Sequence, residues 1–160
     1  MNGNCSNIER PALPCDDGFI HVELSKQPVP YHIVKCCANE ISPEESQTLA
    51  MSSCWLACMC ADVIRGRLSS TMLQRKLTAN CLKKLDTLSH LMKNHLQTHR
   101  ELRERLCYLP AVPHKVLGMF VSPTTLETTA HLTIGKNHYW ANLVLKRMGS
   151  RWMCTVADLG

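Results

Sequence analysis

From Cys81 to Leu109 the chain repeats apolar residues and two histidines at alternating steps of four and three: Cys81, Leu85, Leu88, Met92, His95, His99, Leu102, Leu106 and Leu109. Steps that alternate in this way keep their side chains on one side of an α-helix. The spacing therefore predicts a long amphipathic, coiled-coil-like helix from about Thr71 to Leu109. Pro110 and Pro113 end it, because proline lacks the amide hydrogen that the next helical turn requires. In a self-paired two-stranded coil, the positions flanking the seam carry opposite charges. Here Leu82, Leu91 and Leu96 occupy flanking positions and widen the apolar stripe. A widened stripe predicts burial by two or more neighbouring helices in preference to a homodimeric coil.

The same helix carries the positive charge of the chain. Of the net +5, residues 64–109 hold ten basic and three acidic side chains, whereas residues 1–63 hold three basic and eight acidic ones. Arg75, Lys76, Lys83, Lys84, Lys93, Arg100, Arg103 and Arg105 lie mostly off the heptad seam, on an outer basic face. Such a face suits an acidic protein surface, a nucleic acid or the acidic N-terminal part of the chain itself. No aromatic is counted among these charges, so stacking on single-stranded bases is not expected.

The remaining segments give the frame for this helix. Residues 1–17 lack periodicity and are expected to form a flexible lead-in. Ile20, Val22 and Leu24 alternate with His21 and Glu23, and Tyr31 to Cys37 is a second extended run, which together predict a β-hairpin over 18–41. Ser42-Pro43-Glu44-Glu45 has the order of a helix start, with a capping serine, proline at the first helical position and glutamate closing a capping box. The apolar run Leu49–Ile64 that follows is 16 residues long. A bilayer span takes ~20, so a helix buried on most sides is expected and no membrane span. Gly66 marks its end, and Ser69-Ser70-Thr71 with Gln74 would start the next helix, making a helical hairpin over 42–109.

Beyond Pro113 the pattern changes to strand: Val116–Val121, Ala130–Ile134, Tyr139–Lys146 and Trp152–Val156, the last three divided by Gly135-Lys136-Asn137 and Met148-Gly149-Ser150. Glycine and asparagine there predict tight turns and a three-stranded antiparallel meander within 110–160. The strand through Tyr139 has apolar residues on both sides, so one face is expected to pack on helix and the other to be partly covered. The fold class is α+β, one compact domain in all.

The ten cysteines admit several chemistries. No apolar run of signal-peptide length is found in residues 1–17, so an intracellular protein of the cytoplasm or nucleus, with reduced and mostly buried thiols, is expected. Asn4-Cys5-Ser6 matches a glycosylation acceptor that would be silent there. Cys36-Cys37 and Cys54/Cys58/Cys60 lack the paired spacing of a zinc site; His32 near Cys36 and Cys37 is the residual cluster. His95 and His99, one turn apart, supply two ligands where a structural zinc needs four. No metal or cofactor is expected. Phosphate-cradling glycine loops, nucleophile elbows and His-Glu-x-x-His are all missing, so no enzyme is expected. The residues point to a non-catalytic adaptor or scaffold subunit of an intracellular assembly. It would dock through the helical stripe and the C-terminal sheet onto protein partners that contribute helices, in a hetero-complex more than a homodimer. The alternative is a nucleic-acid-associated protein that uses the basic helix face.

Overall fold

The computed structural model describes residues 12–37 and 40–160. Six strands form one sheet in the sequential order β1 to β6: β1 Cys15–Ile20, β2 Val29–Lys35, β3 Ala111–Ser122, β4 Thr125–Ile134, β5 Asn137–Met148 and β6 Arg151–Leu159. Every neighbouring pair is antiparallel except β2 and β3, which are parallel. A parallel pair needs a long crossover, and all three helices lie in that crossover: α1 Pro43–Ile64, α2 Ala79–Thr98 and α3 Arg100–Tyr108.

The α+β class, the N-terminal hairpin, the helices and the C-terminal meander all stand as the sequence implies. Helix α1 starts as its capping box dictates, with Ser42 Oγ accepting from the amide of Glu45 at 3.1 Å. It ends at Arg65, and Gly66 takes φ +75, the left-handed conformation of a helix C′ residue. Its inner face is built from small side chains, Ser46, Ala50, Ser53, Cys54, Ala57 and Ala61, all buried. Small residues let the helix axis approach the sheet, where Ile33, Val116, Phe120, Leu126, Leu132 and Leu143 complete the core. By length and composition α1 could cross a membrane, yet 61% of its most apolar window is buried in the fold, as in a core helix.

Four expectations are corrected in detail. The first strand begins at Cys15 and ends at Ile20, so residues 15–17 belong to the sheet and not to a flexible lead-in; residues 1–11, with Asn4-Cys5-Ser6, lie outside the described residues. Asp16 and Gly18 face inward there, and Gly18 leaves room for the Tyr31 ring, whose Oη would stand 2.7 Å from a Cβ at position 18. The meander has four strands, because β3 runs through Pro113 with a register shift between Pro113 and Lys115.

The long helix is also divided. Ser69 caps only a short 3₁₀ turn, Ser70–Leu73. The backbone of 76–78 then bonds to β6, with Cys154 N donating to Lys76 O at 2.8 Å and Thr78 N to Cys154 O at 3.0 Å. Those bonds replace helical ones, and α2 starts at Ala79 with Thr78 as its cap. At its other end, His99 leaves helical geometry (φ −125, ψ 79), while Thr98 Oγ1 donates to His95 O at 2.9 Å. Helix α3 restarts at Arg100, with Arg103 N bonded to His99 O at 3.0 Å.

Candidate interaction surface

The helices cover one face of the sheet. The other is open among the described residues, and strand register decides what it presents. Side chains alternate between faces along each strand, so the pairings generate rows that cross the sheet. One row is Cys15, Val34, Met119, Glu127, Val144 and Val156. With Val121 and Met153 beside it, this band is apolar except at Glu127 and at the Cys15 thiol. The next row is polar apart from Leu117: Asp17, His32, Leu117, Thr129, Asn142 and Asp158, with Thr129 Oγ1 donating to Asn142 Oδ1 at 2.8 Å. Beyond it stand Phe19, 62% exposed, with Pro30, Lys115, His131 and Trp140. An apolar band bordered by polar side chains is the anatomy of a protein interface.

Two polar groups are built into this face. Around His131, Nε2 meets His138 Nδ1 at 2.8 Å, the Trp140 ring stacks at 4.6 Å, and the His114 ring lies 5.2 Å away. The His131 imidazole is held below the usual histidine range by burial and then by the neighbouring charges of His114 and His138. At the β1 edge, Asp17 faces its cross-strand partner His32, Oδ1 to Nδ1 2.6 Å, and accepts from Cys15 Sγ at 3.4 Å. The hydrogen bond from His32 lowers the Asp17 carboxyl; the one to Asp17 raises the Cys15 thiol. The residual cluster read from sequence thus takes a different form, with His32 joined to Cys15 and Asp17 of the neighbouring strand.

The heptad residues are divided by the break at His99. Cys81, Leu85 and Leu106 are buried, as is Leu96, while Met92 and Leu102 are half-buried. The inward stripe of α2 is therefore Cys81, Leu85, Ser89, Met92 and Leu96, with Ser89 Oγ donating to Val63 O at 2.9 Å to join α2 to α1. Leu88, Leu109, His95 and His99 are exposed, and the two histidine rings stack on each other at 4.2 Å. Leu91, 58% exposed, continues the outer seam beside Leu88.

The eight basic residues are all exposed but do not form one stripe on one helix. Arg75 and Lys76 precede α2 and, with Arg151, edge a groove of about 550 Å³ floored by Trp55 and Trp152. Lys93 and Arg103 share a second groove of about 490 Å³, at the α2–α3 elbow, with Arg67 and Tyr108. Arg100 lines its extension. Tyr108, 71% exposed, stands among these charges, so the basic surface does include an aromatic, contrary to the expectation from sequence. Lys83, Lys84 and Arg105 lie on the outer surfaces of α2 and α3.

The outer-face residues Phe19, Met119, Val121, Trp140 and Val156 are missing from the sequence-read site. Period-two alternation was the available signal; which parity would be left bare was not in it. The nine described cysteines are free thiols, with Cys54, Cys60, Cys81 and Cys154 buried. No family model, no curated protein and no solved structure matches the chain.

Proposed function

We propose that this chain is a non-catalytic interaction subunit of an intracellular assembly, and that it docks a protein partner on the open face of its sheet. The observation that carries the reading is the band Val34, Met119, Val144 and Val156, drawn from four strands of one cross-sheet row that only Glu127 on β4 interrupts, and bordered by a polar row. A sheet with one face covered by helices and an apolar band on the other gains most from a second covering layer. The partner would present an apolar helical surface. The outer-face charges Asp17, Glu127, Asp158, Lys115 and Lys146 nearly balance, so the band selects by burial and not by strong attraction. Nine described cysteines as free thiols, four of them buried, support a reducing compartment.

The test is recovery of stoichiometric partners from cells by the full chain and by two single variants. Met119→Asp places a charge in the band and is expected to lose the partner; Leu88→Asp on the outside of α2 is expected to keep it. If Met119→Asp retains every partner that the parent chain recovers, the docking reading is wrong. Concentration-dependent dimerisation abolished by Met119→Asp would instead assign the band to a second copy of the chain.

The elbow of α2 and α3 supports the second reading, contact with nucleic acid, because Lys93, Arg103 and Tyr108 share one groove. Binding to duplex or single strands would then weaken steeply with salt, and Lys93→Ala with Arg103→Ala would flatten that slope by about two.

A further inference from the structure

We propose that Cys15, Asp17 and His32 form a binding site for a divalent transition-metal ion of the zinc class at the β1–β2 edge of the sheet. It goes beyond the docking reading and does not depend on it. The placement follows from register. Cys15 and Asp17 are two residues apart on β1 and so project to the same face. His32 is the cross-strand partner of Asp17 on β2. Three donors therefore converge from two adjacent strands without a loop, and their ligand atoms all lie within 4.8 Å of one another.

The donor set decides which ion. A thiolate, an imidazole nitrogen and a carboxylate oxygen together match zinc and its neighbours, with short bonds of about 2.0–2.3 Å. Calcium and magnesium take oxygen ligands and would leave the thiol and the imidazole unused. Asp17 already bridges the other two, with its two oxygens directed at His32 Nδ1 and at Cys15 Sγ. On binding, the thiol proton of Cys15 is released to solvent, the Nδ1 proton that His32 shares with Asp17 also leaves through solvent so that the neutral ring, protonated at Nε2, ligates through Nδ1, and the fourth position is left to water or to a group of a partner. An ion here would pin the edge strand β1 to β2 at one end of the apolar band, where the row through Cys15 and Val34 begins.

Cobalt(II) added to the reduced full chain is the probe, because ligation by a thiolate gives a charge-transfer absorption that free cobalt lacks. One equivalent is expected to bind with that absorption, and zinc is expected to displace it. Cys15→Ser, Asp17→Asn and His32→Asn are each expected to weaken binding by more than about a hundredfold, since even residues behind the ligands cost ten- to a hundredfold. Cys15 and Asp17 are exposed, so their variants should keep the parent circular dichroism and melting curve, which separates a lost site from a lost fold. Cys36→Ser, at the nearby exposed thiol, is expected to bind cobalt normally. Absence of one-equivalent binding by the parent chain, or binding lost in Cys36→Ser and kept in Cys15→Ser, would overturn the assignment.

Discussion

Asp16 on β1 and Lys35 on β2 form an ion pair inside the fold, Oδ2 to Nζ 2.8 Å, with both side chains almost fully buried. Ser46 of α1 donates to the same carboxylate oxygen at 2.6 Å, and Lys35 also reaches the carbonyl of Ile41 at 3.2 Å. Four segments of chain meet at this pair. Breaking one side leaves the other charge buried, at a cost of about 3–5 kcal/mol. Asp16→Asn and Lys35→Met are each expected to destabilise the protein by that amount in urea unfolding. The double variant should lose less than the two singles added together.

Arg65 at the end of α1 is 4% exposed and donates through Nη1 to the carbonyls of Leu106 at 2.6 Å and Leu109 at 2.5 Å, and through Nη2 to Asp62. Arg67 adds a bond to Leu109 O at 2.8 Å. These carbonyls are the unpaired acceptors that every helix end leaves, so two arginines close α3 onto α1. Arg65→Met should cost about 3 kcal/mol, because the Leu106 carbonyl loses the Arg65 donor and the half-buried Asp62 carboxylate keeps only Arg67, at 3.6 Å. Hydrogen exchange in α3 should rise first.

Gly66 is left-handed at φ +75 with open space where a Cβ would stand. Gly66→Ala therefore meets strain but no clash, and is expected to cost about 1 kcal/mol. Gly18→Ala should cost more than Gly66→Ala, because its Cβ would meet the Tyr31 ring at 2.7–2.8 Å. The two midpoints measured in one denaturation series give the ranking.

The thiols should divide by burial. Cys60 is pushed up to about 12 by desolvation and then by Cys81. Cys154 is raised by its hydrogen bond with Cys81 and by burial. Alkylation near pH 8 with site-resolved mass spectrometry should modify exposed Cys36 first, and Cys60 and Cys154 only as fast as the protein opens. Labelling of Cys60 as fast as Cys36 would mean that α1 is not seated on the sheet as described.

His131 gives a pH dependence with a definite sign. Its imidazole is lowered in the folded chain, so the unfolded chain takes up the proton first, and stability declines as pH falls from about 6.5 through the folded value. Above about pH 6.5 both states are neutral at this residue and it contributes no slope. His131→Asn should flatten the loss of melting temperature between about pH 7 and 5.

The features legible in the chain are those that depend on near neighbours. The serine and glutamate of the capping box, the glycine after Ile64, the prolines after Leu109 and the glycines at 135 and 149 act within a turn or two, so α1 and the meander are legible from their residues. The heptad spacing identifies helix; of its residues Cys81, Leu85 and Leu106 lie buried and Leu88, His95, His99 and Leu109 lie exposed. Everything else about the candidate site was settled by contacts between residues far apart in sequence. Hydrogen bonds from β6 to residues 76–78 delay α2, and the stripe that α2 packs inward runs Cys81, Leu85, Ser89, Met92 and Leu96, which leaves Leu88 and His95 outside even before the break at His99. The insertion of all three helices between β2 and β3 covers one sheet face and, among the described residues, leaves the opposite face bare. Cross-strand register brings His32 to Cys15 and Asp17 instead of to its sequence neighbours Cys36 and Cys37. A periodicity tells which side chains share a face; only tertiary packing chooses which face is covered.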